Sequence, residues 1–169
     1  TLAVLGRPVE EPLLAALWPD NETRLAAQAD LLEQAILREY DSGLQFVHPW
    51  LREQILAKLS AETERACHRS LAAVLPSAAD VSRMIHLAGA HDWPGALDCA
   101  LAVATTHLER GELAATGTAL TVAGQALQNL PFTDNETRWR WLSLQESYGE
   151  LTGHALKWQK ALAQMTELA

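Results

Sequence analysis

Apolar residues return every three or four positions along most of this chain, with turn-forming residues between the runs. That spacing predicts α-helices that each bury one stripe. Residues 2–5 read as a short helix closed by Gly6 and Pro8, and residues 9–18 as a second stopped by Pro19. Asp20 or Asn21 caps a third over 22–33, with Leu25, Ala29 and Leu32 on one face. Pro49 suits the first position of a helix whose stripe is Leu51, Ile55, Leu56 and Leu59. Ser60 caps the next, which carries Cys67, Leu71, Val74 and Leu75 inward and stops at Pro76. Ser77 begins one with Val81, Met84, Ile85 and Ala88, and Pro94 opens one with Leu97, Leu101, Ala104 and Leu108, closed by Gly111. Leu113, Leu120, Leu127 and Leu130 mark another, ended by Pro131. Thr133 and Glu136 have capping-box spacing and start a helix with Trp141, Leu144, Tyr148 and Leu151, closed by Gly153. A last helix is expected from about residue 155 to the end.

One stretch breaks the helical period. Residues 35–40 and 44–48 read as strands around Asp41-Ser42-Gly43, a three-residue turn that places Gly43 where a positive φ is wanted. A lone hairpin is marginal in water and needs helices to pack on. Three helices, a hairpin and a helix opened by Pro49 follow the order of a winged helix. The expected fold is therefore mainly α. A winged-helix domain with one short β-hairpin spans 1–76, and antiparallel α-helical hairpins span 77–169.

The second half carries a weak internal period. Gln125-Ala126-Leu127 returns as Lys160-Ala161-Leu162, 35 positions on, near the 34-residue period of tetratricopeptide repeats. Residues 125–131 resemble the end of such a repeat, and residues 91–97 its middle turn. A tetratricopeptide-like superhelix is the expectation there, with a plain array of helical hairpins as its equal rival. Asp20-Asn21-Glu22-Thr23-Arg24 also recurs, as residues 134–138, and reads as helix-capping chemistry at two helix starts.

Charge excludes one class of function. The net charge is −8, shared as −4 over 1–76 and −4 over 77–169. Neither half has the basic excess that neutralising phosphates demands, so direct DNA binding by this segment is not expected. No run is apolar enough to span a membrane, and no signal peptide opens the chain. Cys67 and Cys99 read as two buried thiols in a reducing compartment. With no initiator Met and helix-like ends, the sequence reads as a segment of a longer protein.

Candidate chemistry is sparse. No Gly-rich phosphate loop is present, the six histidines do not pair at metal-ligand spacing, and no nucleophile sits beside a base motif. No catalytic residue and no metal ligand is assigned, and an enzyme is not expected. The six tryptophans read as packing residues, with Trp139 between Arg138 and Arg140 as an alternative recognition surface. His48 is the remaining candidate. It stands at a helix start, where free N–H groups and the positive helix end favour an anion, and Arg52 lies one turn on. A turn histidine bonded to its own backbone is the plainer reading of the same spacing.

Residues 46–56, Phe-Val-His-Pro-Trp-Leu-Arg-Glu-Gln-Ile-Leu, with residues 65–72, Arg-Ala-Cys-His-Arg-Ser-Leu-Ala, resemble a stretch found in bacterial signal-transduction (STAND) ATPases. These are LuxR-type and maltose-activator-like transcriptional regulators, in which the stretch follows the ATPase core. The resemblance implies a cytoplasmic parent protein in which ATP or ADP is bound by a nucleotide-binding domain of the same chain. It implies that His48 contacts the nucleotide phosphate when the winged helix docks on that domain. It implies helical repeats that sense a protein or small-molecule inducer. A stand-alone repeat module that binds a peptide or protein without nucleotide is the alternative. A DNA-reading winged helix with residues 22–33 as recognition helix ranks last.

Overall fold

The structure is a computed structural model that describes residues 1–41, 43–75 and 80–153. It divides into two compact units, Thr1–Pro76 and Ser77–Ala169. The chain is mainly helical, with one short two-stranded antiparallel sheet among the described residues.

In the first unit α1 (Leu2–Leu5) closes at Gly6, whose φ is 73°. The residues after it do not start a helix at once. Val9 pairs antiparallel with Leu44, through Val9 N to Leu44 O and Leu44 N to Val9 O, both 2.9 Å. Helix α2 is thereby delayed to Glu11–Leu17, with Pro12 in its first turn. Helix α3 (Asn21–Glu33) is capped by Asp20, which accepts from Thr23 N at 3.5 Å. It ends in a Schellman motif: Ile36 N bonds to Leu31 O and Ala35 N to Leu32 O, and Ala35 sits at φ 53°. That cap uses two residues expected in the first strand. Strand β1 runs Leu37–Tyr40 and β2 Gly43–Phe46, with Leu37 opposite Phe46 and Tyr40 opposite Gly43. Gly43, expected in the turn, therefore belongs to β2, and Ser42 lies outside the described residues. Gly43 does adopt the positive φ, 107°.

The expected inner face of α3 is corrected. Leu25 and Leu32 are 49% and 37% exposed, and Ala29 is exposed too. The helix instead turns Arg24, Ala27, Gln28 and Leu31 inward. Its leucines fall on two faces, so spacing alone did not choose between them. Helices α4 (Pro49–Lys58) and α5 (Ala61–Val74) follow, the latter capped by Ser60 accepting from Thr63 N at 3.1 Å. Leu71 is fully buried, with Leu75 and Ala72 nearly so. Leu71 completes a core of Val4, Leu5, Val9, Leu14, Leu37 and Leu44, with Leu56, Leu59 and Cys67 packed on it. No residue of α4 is fully buried.

In the second unit α6 (Val81–Gly89), α7 (Trp93–Glu109), α8 (Leu113–Asn129) and α9 (Asn135–Thr152) succeed one another. The expected start at Ser77 lies outside the described residues; the described helix is capped by Asp80, which accepts from Ser82 N and Arg83 N. The turns after α6 and α7 are alike. His91 N and Asp92 N bond to Ala88 O and Leu87 O; Gly111 N and Glu112 N bond to Leu108 O and His107 O. Each is a Schellman closure with a left-handed residue, His91 at φ 59° or Gly111 at φ 72°. Asp92 then caps α7 by accepting from Gly95 N at 3.1 Å. Helix α9 is capped by Asp134, not by Thr133, whose Oγ1 is buried without a hydrogen bond. Asp134 repeats at Thr137 what Asp20 does at Thr23, so the recurring pentapeptide is a shared capping device.

Alanines build this core: Ala96, Ala100, Ala104, Ala119, Ala123 and Ala126 are fully buried. With no bulk between them, α7 and α8 approach closely. Helices α7 and α9 begin 42 residues apart, at Trp93 and Asn135, beyond the tetratricopeptide spacing. Residues 91–92 and 130–131 close α6 and α8 respectively, so they cannot be the middle of one repeat and the end of the next in the same phase. Residues 160–162 lie outside the described residues.

Candidate functional site

The hairpin delivers His48 to the start of α4. Val47 N bonds to Ile36 O at 3.1 Å, which ties the end of β2 to the residue before β1. His48 follows in extended backbone, φ −126° and ψ 127°, as the N-cap of α4, and Pro49 occupies the first turn. Its carbonyl accepts from Leu51 N at 3.0 Å, but its ring makes no capping hydrogen bond. The side chain is exposed. The residue thus stands at the start of α4, where Pro49 carries no N–H and Leu51 N is already bonded to the His48 carbonyl, which leaves the Trp50 N–H and the positive helix end. That arrangement suits contact with an anion supplied from outside. Trp50 beside it is 57% exposed.

Arg52 does not join His48. Its Nε donates to Ala3 O at 2.7 Å, and the guanidinium lies where a side chain on Gly6 would otherwise go. It serves as a cationic cap on the last carbonyls of α1. Arg52 and Arg7 line one hollow of about 200 Å³, together with Gly6, Phe46 and Pro49. His48 is not among its lining residues. Sequence reasoning missed Arg7, because only the Val9–Leu44 pairing carries the segment after α1 to the hairpin.

The tryptophan reading holds in part. Trp93 and Trp141 pack on the core of the second unit, and Trp141 Nε1 donates to Leu120 O at 3.3 Å. Trp18 and Trp139 are 42% and 64% exposed, and Trp158 lies outside the described residues. Neither cysteine forms a disulfide; Cys99 is buried, and burial pushes its thiol up, while Cys67 is half-buried. Among the described residues no cluster of three or more His, Cys, Asp or Glu is placed to hold a metal ion. No described helix is long and apolar enough to cross a membrane. Compared with known proteins, the chain matches no family model, no curated protein and no solved structure.

Proposed function

We propose that this chain is a regulatory segment of a cytoplasmic ATP-dependent transcriptional regulator, built from a winged helix and a helical-repeat sensor. The observation that carries this reading is the pairing of Val9 with Leu44 beside the exposed His48. The pairing adds a one-residue β-bridge between the first two helices, at the edge of β2. With the bridge at Val9 the order is helix, bridge, two helices, two strands, which supports a winged-helix reading. In that frame His48 leaves the wing with a ring that its own fold does not use. When the segment docks on a nucleotide-binding domain of the same chain, His48 and the start of α4 meet the ADP diphosphate and hold the closed state. An inducer on the helical repeats favours the open state by binding it more tightly.

A DNA-reading role for α3 has little support. Arg24 is the only basic residue of that helix, and it is buried in an ion pair with Glu11 at 2.7 Å. The exposed face carries Glu22, Asp30 and Glu33. A stand-alone interaction module is the second reading, favoured by exposed Phe132 (81%) and Trp139 in the second unit.

The test is His48→Ala in the full-length parent. The expected result is faster ADP release and higher basal activity. Unchanged ADP retention with unchanged basal activity overturns the switch. A parent reading frame without an upstream phosphate-binding loop favours the interaction module instead.

A further inference from the structure

Arg52 is anchored through one nitrogen and idle at the other two. Its Nε donates to Ala3 O at 2.7 Å, which holds the guanidinium against the end of α1. Its Nη2 lies 2.9 Å from where a Cβ on Gly6 would stand, so the bare glycine gives the fork its room. Among the described residues neither Nη1 nor Nη2 has a hydrogen-bond or ion-pair partner, and neither is sealed from solvent. Arg7, directly after Gly6, is exposed and also lacks a bonded partner among the described residues. Arg24 of the same unit shows the opposite case, spent on Glu11 and Asn21.

Gly6, Arg7 and Arg52 all line one hollow of about 200 Å³. Most of the rest of its wall is apolar, Leu2, Phe46 and Pro49 included, and no acidic residue lines it. Two guanidinium groups with no carboxylate on the same wall leave a local positive field in an otherwise acidic unit. An apolar wall with a few convergent polar groups is the usual make-up of a ligand site, and a volume below the roughly 300 Å³ where drug-sized sites begin limits the occupant to one ring or a short branched chain. An Arg fork suits a carboxylate held by two N–H groups.

We propose that this hollow binds a small apolar monocarboxylate, with its head on the Arg52 fork and its body against Leu2, Phe46 and Pro49. Arg52 is set in place by Ala3 before the ligand arrives, so little side-chain freedom is lost on binding. Arg7 is the second cation and swings onto the head from the solvent side. The site needs only the first unit and does not depend on the nucleotide switch.

Benzoate is the probe, with benzamide as its neutral match, titrated calorimetrically into the full chain. Saturable benzoate binding is expected, with benzamide and inorganic phosphate both clearly weaker. Arg7→Gln removes an exposed cation without a structural bond and weakens benzoate by about threefold to fivefold, the scale of one exposed charge pair, while benzamide is unmoved. Phe46→Trp adds bulk to the wall without touching either guanidinium and weakens acid and amide together. Arg52→Gln abolishes the preference for acid over amide; if it does not fold, the Arg7 and Phe46 variants still decide. Absence of saturation overturns the proposal, as does equal binding of acid and amide. So does phosphate binding as tight as benzoate, or benzoate affinity indifferent to Arg7→Gln or to Phe46→Trp.

Discussion

A Cβ placed on Gly43 would lie 2.4 Å from the carbonyl oxygen of Val9. The glycine is therefore needed twice, for its φ of 107° and for the approach of a third extended segment. Gly43→Ala is expected to cost about 2 kcal/mol or more, as strain and lost pairing add. Urea unfolding measures the loss. Amide exchange at Val9 and Leu44 reports whether the pairing itself has opened.

His48 and Arg52 share one helix turn but differ in what their loss costs. His48→Ala removes an exposed ring without a capping bond and is expected to change stability by less than about 0.5 kcal/mol. Arg52→Gln removes a charged donor from Ala3 O and is expected to cost about 1.5–3 kcal/mol. Thermal melts of the two variants make the comparison. Equal losses would show that His48 is structural.

Among the described residues, two non-glycine residues hold left-handed conformations at helix ends, Ala35 and His91. Ala35→Gly relieves a strain of about 1 kcal/mol and is expected to stabilise the first unit. His91→Gly is expected to gain less, because the ring stacks on Trp93 at 5.2 Å between centroids. Chemical denaturation ranks the pair.

Gly117 and Gly124 both lie on α8 and face aromatic rings of α9. At Gly124 a methyl group would meet Trp141 at 3.4 Å, an ordinary contact, so Gly124→Ala is expected to stabilise by up to about 1 kcal/mol through helix propensity. At Gly117 it would meet the Tyr148 hydroxyl at 2.7 Å. Gly117→Ala must push that ring aside and is expected to lose the propensity gain. The sign of each change is read from urea midpoints.

Burial lowers the pKa of His68 below its usual 6.5, with Glu64 opposing part of the shift. The unfolded chain then binds the proton more readily than the folded one. Stability is complete above about pH 6.5 and declines as pH falls from there through the lower folded value. His68→Gln is expected to flatten that limb. Asp20 and Asp134 behave in the opposite pH range: hydrogen bonds from Thr23 and Thr137 hold their carboxyls below 3.8, so both caps weaken only in stronger acid. Unfolding midpoints between pH 3 and 8 test both statements.

Helix ends and the hairpin were legible because capping and turn chemistry are local. Asp20, Ser60, Gly6, Gly111 and Gly153 act where the sequence puts them. What escaped was long-range. Val9 reads as helix until Leu44 is beside it, and α3 could present either of two leucine-bearing faces until Glu11 drew Arg24 inward. The site was half legible: His48 is accessible at the helix start, but Arg52 answers to the carbonyl of Ala3, 49 residues back.

The short links after α6 and α7 bear on where this chain tolerates change in length. Residues 90–92 and 110–112 each finish one helix and lead straight into the next, and all six of their backbone N–H groups are hydrogen-bonded. One inserted residue would break the closure and turn the following helix about 100° on its axis, carrying its alanine face out of register. The link at 130–134 is longer and holds exposed Phe132. A peptide tag or small domain should therefore be accepted there and rejected at the other two corners.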